Sequence, residues 1–135
     1  SGRRLGPLLA SLRPSPLVPR SEWPPQPALR MLLAAARTPE DWAALRTHYE
    51  ALWEDEARFL WTQQSKVDLA LIMDWSDCLG PLLECRLRTG ASQQADALVR
   101  DAFASTHWPS LPAKASAIAA RCGDKALAAR WAAMK

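Results

Sequence analysis

Residues 82–103, LLECRLRTGASQQADALVRDAF, have the pattern of a helix, a glycine and a second helix, and they indicate how the chain folds. Glycine tolerates the left-handed backbone conformation that ends many helices, so Gly90 marks the boundary between the two. Residues 117–131, AIAARCGDKALAARW, show the same arrangement around Gly123. Alanine, the residue that most favours helix, is frequent in both stretches. The sequence therefore predicts two consecutive helical hairpins.

The two hairpins also share a spacing. Gly90 and Gly123 lie 33 residues apart, and an alanine follows each glycine by five residues, at Ala95 and Ala128. An alanine one turn into a helix lets a neighbouring helix approach closely. A period of about 33–35 residues with these features resembles the tetratricopeptide and pentatricopeptide helical-hairpin repeats over residues 82–134. The Trp, Leu-Gly and Tyr consensus of tetratricopeptide repeats is not reproduced, and two unrelated antiparallel helix pairs are the alternative interpretation.

The rest of the body, residues 28–135, carries further signals for helix starts and ends. Thr38 followed by Pro39 is typical of an N-cap and a first helical residue, and the apolar spacing after it predicts a helix to about residue 63. Gly80-Pro81 is predicted to break one helix and open the next. Further N-caps are expected at Ser92, Ser110 and Asp124. These signals predict an all-α fold of about six to seven short antiparallel helices, as a bundle or a short helical-hairpin array.

The first 27 residues differ from the body in composition. They hold seven of the eleven prolines, and proline lacks a backbone N–H and is excluded from helix interiors. We therefore predict an extended, basic, proline-rich arm, residues 1–27, beside an α-helical domain, residues 28–135. The arm carries four arginines against Glu22 alone, whereas the body carries 13 basic and 13 acidic side chains. The net charge of +3 therefore comes from the arm.

Composition also bears on location. The arm is arginine- and serine-bearing and poor in acids, like the rear part of a mitochondrial or plastid targeting peptide, and a solvated linker behind a cloning remnant is the alternative. Three irregularly spaced cysteines, Cys78, Cys85 and Cys122, indicate reduced core thiols rather than a disulfide framework. We predict a mitochondrial location on the matrix side, or otherwise another reducing intracellular compartment.

The sequence offers little for catalysis or metal binding. His48, in a predicted helix, and His107, in a predicted loop, lack any motif that would place them between a nucleophile and an acid. The cysteine spacing fits no structural zinc site. The acidic residues between Glu50 and Glu56 lack the Glu-x-x-His pattern of di-metal bundles, and we expect them to be solvated or to face a basic partner. We predict no enzyme activity, no cofactor and no metal.

Seven tryptophans are many for so short a chain. Four of them fit the inward faces of predicted helices, namely Trp42, Trp53, Trp75 and Trp131. The other three are predicted to contact partners, because tryptophan is enriched at protein interfaces. Together with the arm, the predicted partner-binding residues are Arg3, Arg4, Leu8, Leu9, Arg13, Arg20, Trp23, Trp61 and Trp108.

These features predict a non-catalytic structural or accessory subunit of a large multi-protein assembly, such as a respiratory-chain complex, ATP synthase or the mitochondrial ribosome. Its partners would be other protein subunits, with membrane contact only through them, because no apolar run is long enough to cross a bilayer. The alternative is an RNA-binding helical-repeat protein of the pentatricopeptide type, which reads bases with polar residues on successive repeats. The neutral body counts against RNA, but the charge count leaves a local basic face open.

Overall fold

A computed structural model of the chain describes residues 26–57 and 75–134, and the regular structure in these ranges is entirely helical. This confirms the predicted all-α fold. The described part contains six α-helices: α1 (Gln26–Ala35), α2 (Pro39–Leu52), α3 (Gly80–Arg88), α4 (Ser92–Thr106), α5 (Leu111–Arg121) and α6 (Lys125–Ala132). Two π-helical turns accompany them, Trp53–Ala57 after α2 and Trp75–Leu79 before α3.

The first two helices begin close to the predicted positions. α1 starts at Gln26, two residues before the predicted body, because a proline such as Pro27 fits the first helical turn, where no intrahelical donor is needed. The arm up to residue 25 lies outside the described residues, as does the predicted end of the second helix near residue 63. At the start of α2, the Thr38 hydroxyl accepts a hydrogen bond from the Asp41 N–H (3.2 Å), and the Asp41 carboxylate accepts one from the Thr38 N–H (3.1 Å). This reciprocal capping box confirms the predicted N-cap.

The prediction that Pro81 opens a helix is confirmed, since α3 begins at Gly80 with Pro81 in its first turn. The predicted break before it is wrong, because helical backbone continues from Trp75 through Arg88. Pro81 cannot donate a backbone hydrogen bond, and in a regular α-helix its ring would meet the carbonyl of residue 77. The π-helical turn directly before α3 widens the helix at this point. It also brings the Trp75 carbonyl so close that a Cβ at position 80 would lie 2.8 Å from the oxygen. Gly80 is needed for this close approach of backbone.

The two hairpin glycines end their helices as predicted. Gly90 has φ 80° and Gly123 has φ 84°, both in the left-handed region. In each hairpin the residue after the glycine donates its N–H to the carbonyl five residues earlier, at 2.8 Å in the first hairpin and 2.9 Å in the second. The glycine N–H bonds the carbonyl three residues earlier, at 3.3 Å and 3.1 Å respectively. Both hairpins therefore turn through a Schellman motif.

We expect Gly90→Ala to lower the free energy of unfolding by about 1 kcal/mol, because the left-handed conformation is strained for a residue with a Cβ. No atom lies within 4 Å of a Cβ built at this position, so the cost is conformational rather than steric. Urea unfolding monitored by tryptophan fluorescence measures the change. Gly90→Asn is the matched control and should cost less, because asparagine tolerates this conformation. An alanine variant as stable as the wild type would contradict the assignment.

Two of the other predicted caps differ in detail. Ser92 is the first residue of α4 rather than its N-cap, and Ala91 occupies the capping position without a side-chain bond. Ser110 does precede α5, but its side chain makes no capping bond. Asp124 caps α6 as predicted, since its carboxylate accepts a hydrogen bond from the Leu127 N–H at 3.1 Å.

Helix α3 lies at the centre of the described residues and contacts α2, α4 and α5, while α5 and α6 pair closely with each other. The α3–α4 hairpin thus stacks on the α5–α6 hairpin through α3 and α5. A second connection joins α4 to α6, because the Trp131 Nε1–H donates to Asp96 Oδ1 at 2.9 Å and Arg130 approaches the same carboxylate at 3.4 Å. Predicted core tryptophans Trp53, Trp75 and Trp131 are buried, whereas Trp42 is half-buried at the edge of the core.

Two carboxylates that join separate elements predict sensitivity to acid. Burial raises the pKa of Glu50, but the hydrogen bonds and charges of Arg86 and Arg46 outweigh burial, so the pKa lies below its ordinary 4.5. Burial likewise raises the pKa of Asp96, and the bonds from Trp131 and Arg100 lower it overall. A carboxyl with a lowered folded-state pKa stabilises the fold above its unfolded pKa, and this stabilisation is lost as the pH falls through the folded value.

We therefore expect the free energy of unfolding to decline as the pH falls below about 4.5. Urea unfolding at a series of pH values between about 7 and 3 measures the decline. Glu50→Gln is the control, and it should be less stable than the wild type at neutral pH and should lose less on acidification. Equal stability of the wild type across this range would refute the proposed role of both carboxylates.

Candidate functional site

Most of the predicted partner-binding residues fall outside the part of the chain that the structure describes. These are Arg3, Arg4, Leu8, Leu9, Arg13, Arg20, Trp23 and Trp61. Their role in partner binding stays a prediction.

Trp108 is described and is only 5% exposed, so its side chain is packed in the core, and its predicted contact with a partner stays a prediction. Its ring packs edge-to-face on Trp75, with ring centres 6.1 Å apart. The Trp108 backbone N–H donates to the Thr106 hydroxyl at 3.2 Å, which holds the loop against the core. The residues next to Trp108 in sequence give no sign of burial, but the π-helical turn before α3 brings the Trp75 ring against it. Trp108 therefore belongs to the core.

The histidines and cysteines take structural positions. His48 is buried in α2, and His107 caps the end of α4 in the left-handed conformation, with its ring against Phe103. Cys78 and Cys85 are buried and Cys122 is half-buried, and none of the three forms a disulfide in the described residues. Burial, together with the nearby Glu84 charge, raises the pKa of the Cys85 thiol far above its ordinary value. Burial also raises the pKa of Cys122, so both thiols are protonated at neutral pH.

The most distinctive surface feature is a groove between α1, the start of α2, α3 and α5, which we call the arginine groove. Its larger part has a volume of about 720 Å³ and is lined by charged groups around one indole ring, namely Arg30, Arg37, Arg88, Arg121, Glu84 and Trp42. The smaller part, about 360 Å³, adds Lys114 to a mostly apolar lining that includes Trp75, Pro81 and Ile118. Leu33, Glu84 and Arg121 line both parts, so the two are adjacent.

Glu84 holds the floor of the arginine groove. Its side chain is 10% exposed, and its carboxylate accepts bonds from two guanidiniums: Oε2 from Arg88 Nε at 2.9 Å and Oε1 from Arg121 Nη2 at 2.8 Å. The Arg88 bond joins successive turns of α3, while the Arg121 bond ties α3 to α5. The hydrogen bond and charge of Glu84 raise the pKa of Arg121 further, so the Arg121 guanidinium stays charged. One carboxylate thus orients two guanidiniums at the mouth of the groove.

Two further contacts fix the cations of the larger part. The Arg88 guanidinium carbon lies 4.7 Å from the centre of the Trp42 ring, within the range of a cation–π interaction. Arg37 donates through Nη1 to the carbonyls of Ala34 (3.1 Å) and Ala36 (2.8 Å), at the end of α1. This places the guanidinium where the orphan carbonyls of a helix terminus favour a cation. The guanidiniums of Arg37, Arg88 and Arg121 are therefore oriented by contacts within the protein.

Positive charge is in excess along the arginine groove. Among the described residues that line its two parts, five side chains are cationic and one, Glu84, is anionic. The body as a whole has equal numbers of basic and acidic residues, so its charges are segregated rather than scarce. Arginine forks bind carboxylates and phosphates in planar, bidentate geometry. The arrangement is suited to binding an anionic group beside an apolar one.

The residues of the arginine groove are far apart in sequence. The Glu84–Arg88 pair was readable as a spacing of four residues on one helix, but Arg121 lies 37 residues beyond Glu84 and Arg37 lies 47 residues before it. Only the packing of α1 on α2, and of α2 and α5 on α3, brings them together. Within the described ranges, no group of three or more His, Cys, Asp or Glu residues is placed to hold a metal ion.

No known protein-family model, curated protein or solved structure matches the chain significantly. The resemblance of residues 82–134 to tetratricopeptide and pentatricopeptide repeats accordingly stays a prediction that depends on the hairpin spacing. A search of the helices that the structure describes finds none with the length and apolar character needed to cross a membrane.

Proposed function

We propose that the chain is a non-catalytic accessory subunit of a multi-protein assembly and that the arginine groove is where a partner protein docks. The observation that carries the proposal is the groove itself, in which two guanidiniums are fixed on one buried carboxylate beside a half-buried tryptophan. Arginine and tryptophan are the residue types that contribute most to binding at protein interfaces. The apolar residues around them, Leu33 and Ile118 among others, give the groove the mixed character of an interface centre.

A mitochondrial assembly remains the setting that the arm favours. A segment with arginine and serine and few acidic residues is typical of organelle targeting, and three cysteines without a disulfide agree with a reducing matrix. A respiratory-chain complex, ATP synthase or the mitochondrial ribosome would each accommodate a helical subunit of this size. Immunofluorescence of the tagged full-length chain in its native cell tests the location, and a signal outside mitochondria would contradict it.

An RNA-binding role of the pentatricopeptide type is the second candidate, and the cationic groove favours it. Arginines bind phosphates and an indole ring stacks on bases. Against it, the groove contains a buried carboxylate on its floor, and its smaller part is largely apolar. RNA contacts release counterions, so retention on an RNA column that falls steeply with salt would support this alternative.

Affinity purification of the full-length chain from its native cell, followed by mass spectrometry, tests the accessory role. We expect a reproducible set of protein subunits that survives ribonuclease treatment. A chain that purifies alone would contradict the proposal. Loss of every partner on ribonuclease treatment would contradict it in favour of the RNA-binding alternative.

A further inference from the structure

Building on the proposed function, we propose that the arginine groove binds an acidic amphipathic segment of the partner protein, and that Glu84 competes with this segment for Arg88 and Arg121. The inference assigns both a ligand chemistry and a built-in competitor to the groove. It follows from the bonds, burial and apolar lining of the residues around Glu84.

Glu84 uses only some of the N–H donors of Arg88 and Arg121. Its carboxylate bonds Nε of Arg88 and Nη2 of Arg121, which is one nitrogen on each guanidinium. A guanidinium carries five N–H donors in a fixed fork, so each can bind a second carboxylate. Because Glu84 already neutralises part of the charge of both cations, an incoming carboxylate binds them less strongly than it would bind two isolated arginines.

The two arginines are more accessible to solvent than Glu84. Glu84 lies at the floor with a side chain 10% exposed, whereas the side chains of Arg88 and Arg121 are 30% and 57% exposed. An anion arriving from solvent therefore meets the guanidiniums before it meets the carboxylate. Arg37 and the exposed Lys114 extend the cationic rim toward α1 and α5. The rim can thus hold more than one acidic side chain.

The apolar lining of the groove favours a protein segment over a polyanion as the ligand. Leu33 is half-buried and lines both parts of the groove, and Trp42 is half-buried beneath the Arg88 guanidinium. Ile118, Pro81 and Trp75 line the smaller part. A helix with acidic residues on one face and leucines on the other would bury its apolar face here while its carboxylates reach the rim. A phosphate backbone carries no apolar group that could pack against this lining.

Fluorescence anisotropy with labelled probes and the full-length chain tests the inference. The first probe is a helical peptide of about 18 residues, roughly 27 Å long, with glutamates on one face and leucines on the other. Poly-glutamate and a single-stranded RNA oligonucleotide of matched length are the comparison probes. We expect the amphipathic peptide to bind most tightly and all binding to weaken with salt. RNA bound more tightly than the amphipathic peptide would overturn the inference.

Variants then test the competition. Glu84→Gln keeps the shape of the side chain and removes its charge, so we expect the affinity for the amphipathic peptide to rise about tenfold. Arg121→Gln should lower the affinity about tenfold. Lys114→Gln changes an exposed side chain, whose ammonium lies 5.9 Å from the centre of the Trp108 ring, and should lower the affinity about threefold. Glu50→Gln is the matched control, because it removes a carboxylate paired with Arg86 and Arg46 that does not line the groove. It should leave the affinity unchanged.

An unchanged or lowered affinity of Glu84→Gln would overturn the competition, and unchanged binding by Arg121→Gln and Lys114→Gln together would overturn the site. Near-ultraviolet circular dichroism shows whether each variant is folded, and Lys114→Gln keeps the site testable if Glu84→Gln is not. If partner proteins co-purify with the chain but the peptide binds these variants and the wild type equally, the inference fails and the accessory role stands. If no partner co-purifies, the accessory role itself fails.

Discussion

Replacing Trp131 by alanine is expected to lower the free energy of unfolding by about 3–5 kcal/mol. Trp131 is fully buried in α6, and it is the largest of the fully buried side chains among the described residues. Its removal leaves a cavity between the two hairpins and breaks the 2.9 Å bond from Nε1 to Asp96. Because this contact connects α4 to α6, its loss weakens the packing of one hairpin on the other.

Urea unfolding followed by circular dichroism measures the effect of this substitution. Met31→Ala is the matched control, because Met31 is 74% exposed and its truncation should change the free energy of unfolding by less than about 0.5 kcal/mol. Trp131→Phe retains an aromatic ring but loses the donor to Asp96, so we expect a loss of about 1–2 kcal/mol. If Trp131→Ala were no more destabilising than Met31→Ala, the stacked arrangement of the two hairpins would be wrong.

Removing all three charges at the centre of the arginine groove is expected to weaken binding of the acidic amphipathic peptide about a hundredfold. The variant combines Glu84→Gln, Arg88→Gln and Arg121→Gln, so that no charge stays buried without a partner. Two charge-assisted contacts are lost, and each corresponds to about a tenfold change in affinity. Glu84→Gln alone should therefore strengthen peptide binding, whereas the same change together with the loss of both arginines should weaken it strongly.

Anisotropy with the labelled peptide measures this change, and thermal unfolding of each variant shows whether the fold is retained. Arg46→Gln combined with Glu50→Gln removes one pair of opposite charges away from the groove and is the control. Its affinity for the peptide should equal that of the wild type. Peptide binding that survives in the triple variant at wild-type strength would place the docking surface elsewhere on the chain.

The parts of the fold that could be predicted from sequence are those specified within a few residues. Gly90 and Gly123 end helices because the left-handed conformation requires glycine, and Thr38 starts a helix because Asp41 stands three residues on. The Gly80-Pro81 pair was predicted to separate two helices, because glycine and proline both disfavour helix interiors. Here the π-helical turn before it allows the helix to continue, and the close approach of the Trp75 carbonyl accounts for the glycine.

The candidate site could not be predicted in the same way. Its residues come from α1, α2, α3 and α5, and the bond between Glu84 and Arg121 depends on how α5 packs against α3. The net charge of the body gave no sign of the site, because basic and acidic residues balance over residues 28–135 although five basic side chains line one groove. Trp108 shows the same limit, since only the tertiary contact with Trp75 reveals that a loop tryptophan is buried.

Quantitative co-purification from the native cell provides the most decisive comparison. Tagged full-length wild type, Glu84→Gln and the triple variant would be expressed at equal levels, and their partner proteins measured by mass spectrometry. If the arginine groove holds an acidic segment of a partner, that partner should be most abundant with Glu84→Gln, intermediate with the wild type and absent with the triple variant. Equal recovery of the same partners with all three forms would show that the groove is not where the chain is bound.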